Sequence, residues 1–499
     1  MTGFLGIDIG TSAVKALLVD ERQAVVGAAT VPLSTRHPGP LASEQAAEAW
    51  WDAVAAALDR LAADQPRAMA GVAAIGLAGQ MHAALLLDEA DRPVRPAMLW
   101  NDGRAHAEAR RLRAEHPALQ GPLGVPAMAG LTAPKLLWLA RHEPASLARA
   151  RCLLLAKDYI RLRLTGERAT DASDAAGTWL LDQRRRAWSP EAVAAAGIDP
   201  GLLPPVVEGT ARTGSVRPEL ARRFGLPDGV AVAGGAGDTP AGGIGIGAVR
   251  EGAAYVALGT SAQLFVATEA FRPAPERALH AFCHGLEGRW YQMAAMLNGA
   301  SVLGFFARLL GQDDLPALLA AVEAEFAGPS PLLVLPYLAG ERTPHDNPHA
   351  RGVVFGLSPS TTGIEVAQAA LEGVAFSFAD ALAAMTAAGT RIAEAGFIGG
   401  GARSRLWARI VASVLDIPLS LHEGGERGPA FGAARLARLC LGRDDPAAVL
   451  AAPPVTAVVA PEPGLVERYR PRIEAFRRLY RAVEAEFAEA RPPAAPVTA

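Results

Sequence analysis

Apolar residues near the start of the chain fall in short runs separated by glycine or polar positions. Residues 4–9, 13–20 and 24–33 therefore read as three short strands. The period then changes. Ala46, Trp50, Val54, Leu58 and Leu61 recur at three- and four-residue spacing, which predicts an amphipathic helix over 43–63 with Ser43 capping its first turn. A further strand follows at 72–78. Beyond it, 153–156, 231–233, 332–336 and 395–398 read as buried strands, separated by Ala- and Leu-rich helical stretches at 302–310, 363–388 and 404–415. This alternation predicts an α/β class. A Pro-rich connector is expected at 453–464, a terminal helix at 472–489 and a frayed end at 491–499.

One pattern occurs twice. Gly10-Thr11-Ser12-Ala13 lies between apolar runs, and Gly259-Thr260-Ser261-Ala262 lies between apolar runs 249 residues later (260 − 11). Both copies sit in a strand–turn–strand setting, so the halves read as related units. A chain of 499 residues exceeds what one hydrophobic core organises. Two similar domains, 1–243 and 244–499, are expected to flank a cleft, with the glycine-rich stretch 234–247 as boundary and flexible hinge.

Composition narrows the function. Hydrophobic residues make up 51% and charged residues 20% of the chain, as in a folded globular protein, and the net charge is −3. The largest basic cluster, Arg184-Arg185-Arg186, reads as a solvated loop face, so no nucleic-acid footprint is expected. Cys152, Cys283 and Cys440 are far apart and read as reduced thiols. The first residues carry no basic leader, and no apolar stretch reads as long enough to span a bilayer. The expectation is a cytoplasmic protein without membrane contact.

The chemistry begins at the paired turns. A strand–Gly-Thr-Ser–strand turn offers backbone N–H groups and hydroxyls to one spot. Thr11 and Ser12 in one half, with Gly259, Thr260 and Ser261 in the other, could grip one triphosphate across a cleft, with Lys15 as a nearby cation. Each turn taken singly also fits an ordinary hairpin. Asp8 interrupts an apolar strand, where a carboxylate either holds Mg²⁺ beside phosphate or pairs with Lys15. There is no G-x-x-x-x-G-K-[ST] loop and no protein-kinase signature. His345 and His349 are four apart, but Pro344 and Pro348 place them in a loop and not on a helical metal face. Read alone, His82 fits a core or capping position as well as a pocket, and Trp100 fits core packing.

Several segments together resemble a known family. They are Gly6-Ile7-Asp8-Ile9-Gly10-Thr11-Ser12, Gly79-Gln80-Met81-His82, Leu99-Trp100-Asn101-Asp102-Gly103-Arg104 and Thr132-Ala133-Pro134-Lys135. To these add Gly340-Glu341-Arg342-Thr343-Pro344 and Gly399-Gly400-Gly401-Ala402. Over nearly the whole chain they resemble the FGGY carbohydrate kinases, and within them the xylulokinase branch, on a ribonuclease H-like (actin/hexokinase-like) fold. The resemblance implies ATP and Mg²⁺ as cofactors and a small ketose, D-xylulose, as substrate. It implies sugar contacts from Met81, His82 and Asp102, with Trp100 and Asn101 lining the pocket, and Asp238 as general base. Gly400, Gly401, Ala402 and the turn at 428–432 are implied as the nucleotide site, and a homodimer as an assembly. One departure stands out: Thr239-Pro240 follows Asp238, where the family commonly has Asn, which bears on the sugar and not on the reaction class. The rival readings are a kinase for D-ribulose, L-ribulose or another polyol, and an actin-like ATP switch. The second would leave Gln80-Met81-His82 and 100–104 without a task.

Overall fold

The computed structural model describes residues 2–425 and 427–489. The expected fraying of 491–499 lies outside the described residues.

Two seven-stranded mixed sheets dominate, and six strands of each follow the same order; the seventh is Ala236–Gly237 beside Val72–Gly79 in the first and His280–Cys283 outside Trp290–Met296 in the second. In the first, Gly3–Ile9, Ala13–Asp20 and Val25–Pro32 form an antiparallel meander. Val72–Gly79 adds parallel to the other side of Gly3–Ile9, Ala231–Ala233 adds parallel to Val72–Gly79, and Arg212–Ser215 closes that edge antiparallel. The second repeats this order. Ala254–Leu258, Ala262–Thr268 and Trp290–Met296 form the meander, Ala395–Ile398 and Leu419–His422 add in parallel, and Val455–Val459 closes the edge. Each Gly-Thr-Ser turn joins the first and second strands of its meander, so the sequence echo marks equivalent corners of two like α/β units.

Strands at Ala231–Ala233 and Ala395–Ile398 match the sequence pattern, and the helix Arg405–Leu415 starts where Ser404 accepts from the Trp407 N–H. Four local readings differ. The first helix spans Ala47–Asp64 without a side-chain cap, because Glu44–Gln45 pairs as a strand with Ala97–Met98 and the Ser43 N–H donates to Asp102. Tertiary pairing outcompetes the local cap. The stretch 234–247 is not a flexible linker: it holds the short strand Ala236–Gly237 and the helix Asp238–Gly245. The last helix runs Pro463–Glu489 straight through Pro471. Arg186 is not on a solvated face: its guanidinium grips Glu208 at 2.7 and 2.6 Å and the carbonyls of Arg289 and His284 at 3.0 and 3.1 Å.

The helix Gly363–Ala387 is long and apolar enough to cross a membrane, contrary to the sequence expectation. However, 83% of its most apolar window is buried within the protein, so it serves as a core helix.

The two units meet through backbone. The helix Gly428–Leu439, late in the chain, lies across the first sheet. A Cβ on Gly6 would stand 1.8 Å from the Ala430 carbonyl oxygen, one on Gly76 1.9 Å from that of Ala433, and one on Gly432 1.8 Å from that of Ala241. Only glycine at these three positions lets this helix reach the strands and the helix Asp238–Gly245 at such close range. Gly76→Ala should therefore destabilise the protein by about 1–3 kcal/mol, seen as a lower calorimetric melting midpoint. Gly39→Ala, at a position open to space, should not, and equal melting of the two variants would refute this seating.

Candidate active site

Asp8 and Asp238 stand at the carboxyl ends of the two strands that flank Val72–Gly79 in parallel, the usual ligand position in such sheets. Ile9 and Gly237 are both in register with Gly79, from opposite sides of Val72–Gly79. Asp8 faces Lys15 across the hairpin in register, and its Oδ1 is buried without a hydrogen-bond partner. Burial pushes its carboxyl up to about 7; the Asp238 charge adds to this and Lys15 opposes it. Asp238 opens the helix Asp238–Gly245. Burial pushes it up to about 6, against hydrogen bonds from Thr239, whose N–H donates to Asp238 Oδ1 at 2.7 Å. Two carboxylates held so far above their ordinary range at one cleft suit proton transfer or cation binding.

Gln80, Met81 and His82 leave the strand between these two aspartates. Met81 packs against the backbone entering Asp238, since a Cβ on Gly237 would lie 2.7 Å from its Sδ, and the Tyr291 hydroxyl lies 3.9 Å from that sulfur. His82 adopts φ +72°, and its Nδ1 lies 2.7 Å from the Gly177 carbonyl. Burial pushes the imidazole down to about 3, so it is neutral. A neutral ring that donates from Nδ1 to a carbonyl keeps Nε2 as an acceptor for a hydroxyl. The His82 carbonyl is itself held by Thr132 Oγ1 at 3.1 Å and Lys135 Nζ at 2.9 Å.

The first Gly-Thr-Ser turn is tied to this wall. The Thr11 hydroxyl donates to Gln80 Oε1 and accepts from Trp100 Nε1, both at 3.0 Å. Gln45 Nε2 donates to the Thr11 carbonyl at 2.7 Å, and Gln80 Nε2 donates to Gln45 Oε1 at 3.0 Å. The Thr11 hydroxyl is thus engaged within the protein, while Ser12 is exposed. Lys15 Nζ donates to the Arg427 carbonyl at 3.2 Å, joining the first turn to the start of the helix Gly428–Leu439. Asn101 is exposed, but Asp102 is not: its carboxylate accepts from the Ser43 N–H at 2.9 Å and from Arg104 at 2.7 Å. Asp102 therefore shapes the 100–104 turn in this conformation.

The second turn gathers a separate set. Thr260 and Ser261 are exposed, and the Gly259 and Thr260 carbonyls accept from the Ala300 N–H and Ser301 Oγ, both at 2.7 Å. A Cβ on Gly401 would lie 2.5 Å from Leu258, so the short helical turn Gly400–Arg403, which includes Ala402, packs directly beside Gly259. Gly400 faces open space. Gly432, expected in the nucleotide turn, instead serves the contact with Ala241. His345 stacks on Tyr480 at 3.6 Å and shares a 3.0 Å hydrogen bond with the Tyr337 hydroxyl.

Sequence reasoning missed the buried support behind Asp238. Lys157 pairs with Asp158, Asp171 and Asp174, and Arg161 pairs with Asp158, all without exposure. Burial drives the Asp174 carboxyl well above its ordinary value, against the pull of Lys157. Arg161 donates to the Gly234 carbonyl, and the Gly237 N–H donates to Ser173 Oγ at 3.2 Å. The cluster therefore fixes the backbone that delivers Asp238. Its signal was present as charges at 157, 158, 161, 171 and 174 inside otherwise apolar surroundings.

Residues 4–245 match the family model "FGGY family of carbohydrate kinases, N-terminal domain", and 254–439 match the C-terminal domain model. A xylulose kinase of Escherichia coli (strain K12) is 44% identical over 478 residues, covering 96% of this chain and 98% of that protein. A xylulose kinase of Bacillus subtilis (strain 168) is 34% identical over 87% of each. Among solved structures, one described as a xyloylose kinase from Brucella ovis superposes with TM-score 0.94 at 43% identity, covering 97% of this chain and 99% of that one. The xylulose kinase from Rhodospirillum rubrum gives TM-score 0.91 at 31% identity, covering 97% and 100%. The chain belongs to the FGGY family of carbohydrate kinases.

Proposed function

We propose that this protein transfers the γ-phosphoryl group of ATP to the C5 hydroxyl of D-xylulose, giving D-xylulose 5-phosphate and ADP. The observation that carries the reading is the Asp8–Asp238 pair, set at the ends of the strands on either side of Val72–Gly79, with Met81 and His82 leaving that strand between them. Asp238 takes the proton of the attacking hydroxyl, whose oxygen bonds to the γ-phosphorus as the bond to the β,γ-bridging oxygen breaks. Phosphoryl transfer asks mainly for alignment and charge neutralisation, which a fixed carboxylate at a glycine-lined strand end supplies. The unpartnered Asp8 Oδ1 beside a second carboxylate fits a magnesium site completed by phosphate oxygens and water. Asp8 would hold that ion, which when bound neutralises charge on the phosphates.

The division of labour follows the two sheets. Residues 1–243 bind sugar and phosphates, and residues 244–499 bind the nucleotide at Gly259-Thr260-Ser261 and Gly400-Gly401-Ala402. Thr239 does not weaken the xylulose reading, because its N–H and hydroxyl both turn to Asp238 Oδ1, at 2.7 and 3.5 Å. It tunes the base where the relatives' Asn could meet sugar. Three free cysteines fit a reducing cytoplasm, and self-association as a homodimer belongs to the same reading.

ADP release measured across a panel of ketoses and polyols tests the function, with D-xylulose expected to give the highest kcat/KM. Preference for another sugar would move the assignment within the family, and no sugar stimulation at all would refute the kinase reading. Asp238→Asn should lower kcat about 10²- to 10⁴-fold with ADP affinity retained by calorimetric titration; near-normal turnover would remove Asp238 from the role of base. The sign of the pH dependence is fixed: a base raised from 3.8 to about 6 is ionised above that value, so kcat/KM should fall as pH drops through about 6. The raised Asp8 also costs the ligand-free fold stability once it ionises. Above the unfolded value the native state binds more protons than the unfolded chain, so this contribution falls as pH rises toward 7. The melting midpoint of Asp8→Asn, relative to unaltered protein, should therefore climb between pH 5 and 8, and a constant difference would contradict the burial argument.

A further inference from the structure

The segment Gly340-Glu341-Arg342-Thr343-Pro344 has no part in the chemistry above, yet it is fastened to the same scaffold as the second Gly-Thr-Ser turn. That scaffold is the end of the strand Trp290–Met296, where Met296 is in register with Ala262. Just beyond it, the Leu297 N–H donates to Glu341 Oε1 at 2.8 Å. Asn298 Nδ2 donates to Glu341 Oε2 at 3.1 Å and to the Gly340 carbonyl at 2.7 Å. The next residue turns to the other side. The Gly299 N–H donates to the Thr260 carbonyl at 3.1 Å, and a Cβ on Gly299 would lie 2.5 Å from the backbone of Ser261. Residues 297–299 thus hold the 340–344 loop on one side and the Gly259–Ser261 turn on the other.

The loop leaves Arg342 one direction. Its N–H donates to Glu341 Oε1 at 2.8 Å, the Thr343 N–H donates to the Ala295 carbonyl at 3.2 Å, and Thr343 Oγ1 donates to the Ala278 carbonyl at 2.8 Å. With Glu341 and Thr343 buried on either side, the Arg342 guanidinium extends over the Trp100 ring, 5.9 Å from its centre. That ring belongs to the first half, and its Nε1 donates to the Thr11 hydroxyl at 3.0 Å. The backbone of Arg342 is therefore tied to one Gly-Thr-Ser turn, and its guanidinium rests on a ring tied to the other.

The guanidinium itself is uncommitted. Among the described residues no hydrogen bond or ion pair reaches it. The carboxylates that bear on it are those of Glu341 and Asp346; the first is taken up by N–H donors and the second is held by Arg113. Lys15, the cation of the first turn, already donates to the Arg427 carbonyl. A half-buried cation between two turns built for an anion is costly unless an anion meets it. A planar guanidinium fits two oxygens of one phosphate group.

The hydrogen bonds also indicate which phosphate. The Thr11 hydroxyl that accepts from Trp100 donates to Gln80, the residue before Met81 and His82. The Trp100 ring therefore marks the junction of the first turn with the sugar wall. The phosphate that belongs at such a junction is the one that crosses to the sugar.

We propose that Arg342, contributed by the second half of the chain, is a catalytic residue that donates two N–H bonds to oxygens of the γ-phosphoryl group of ATP. It keeps those bonds while the sugar oxygen bonds to phosphorus and the bond to the β,γ-bridging oxygen breaks. The guanidinium stays protonated throughout and the hydroxyl proton goes to Asp238, so Arg342 acts only on the charge of the transferring group. Because Trp100, Asp8 and Asp238 come from the first half, this charge reaches the γ-phosphoryl group only when the two halves meet.

The inference rests on the phosphoryl-transfer reading, but its binding test needs no sugar. ADP and β,γ-imido-ATP, each with magnesium, are titrated calorimetrically into unaltered protein, Arg342→Ala and Arg342→Lys, and ADP release is followed with the best sugar of the panel. In Arg342→Ala the affinity for β,γ-imido-ATP should fall about tenfold relative to that for ADP, which should change less than about twofold. The kcat of that variant should fall about 10²- to 10³-fold with the sugar KM within about threefold, and Arg342→Lys should regain part of both losses. An unchanged ratio of the two nucleotide affinities in Arg342→Ala overturns the proposal. A raised sugar KM with unaltered kcat puts the arginine on the sugar and overturns it as well. Equal loss of both nucleotides in both variants, together with a lower melting midpoint, makes the residue structural and has the same effect. Absence of sugar-dependent ADP release from the unaltered protein would sink the kinase reading alone, since a fallen affinity ratio in Arg342→Ala would still support the contact with the γ-phosphoryl group.

Discussion

The structure depends on one close approach: the helix Gly428–Leu439 seated backbone to backbone on the strands Gly3–Ile9 and Val72–Gly79 and on the helix Asp238–Gly245. Those three elements carry Asp8, the segment at 80–82 and Asp238. A helix held at van der Waals distance from all three by Gly6, Gly76 and Gly432 fixes their relative positions to within the tolerance of a Cβ. Lys15, which bonds the Arg427 carbonyl, extends the same contact to the first Gly-Thr-Ser turn. A late segment of the chain is thus part of the first half's site. Breaking that seat would also open the apolar clusters in which Phe431, Ala434 and Leu436 pack against the first sheet and the helix Asp238–Gly245.

Seating alone leaves the site electrically expensive. Asp8 and Asp238 are both driven up by burial, and their proximity raises the cost at Asp8 further. Behind them the ionic set around Lys157 does the reverse, with each buried charge compensated. The contrast separates structural from functional charge within a few residues of chain. Where opposite charges are paired they hold the backbone, as Lys157 and Arg161 do with their aspartates, whereas, among the described residues, the carboxylate of Asp8 has no such close cationic cage.

Much of this was legible in the chain. The repeated Gly-Thr-Ser pattern found equivalent corners of two like sheets, because a strand–turn–strand corner is specified locally and duplicates visibly. Strands at Ala231–Ala233 and Ala395–Ile398 could be read for the same reason. What could not be read was set by partners far along the chain. Ser43 looked like a helix cap, but Asp102 claims its N–H from 59 residues away. Nothing local marks Gly6 and Gly76 as contact points, because Ala430 and Ala433, which fill the space their missing Cβ atoms leave, come more than 350 residues later (433 − 76). The stretch 234–247 looked flexible for its glycines, which in fact permit tight helix packing.

The same distinction explains why residues of one motif divide in role. Within 100–104, Trp100 presents a ring face to the cleft, whereas Asp102 turns inward to Arg104 and Ser43. Within 340–344, Glu341 and Thr343 turn inward and only Arg342 faces the cleft. A recurring sequence segment marks a place, and burial decides which of its side chains hold that place and which face the substrate. In both segments the inward residues are saturated with hydrogen bonds, and the residue between or beside them carries the polar or aromatic surface left to bind. Arg342 and Trp100 meet although they lie in different halves of the chain, so their contact joins the two sheets a second time, apart from the Gly428–Leu439 seat.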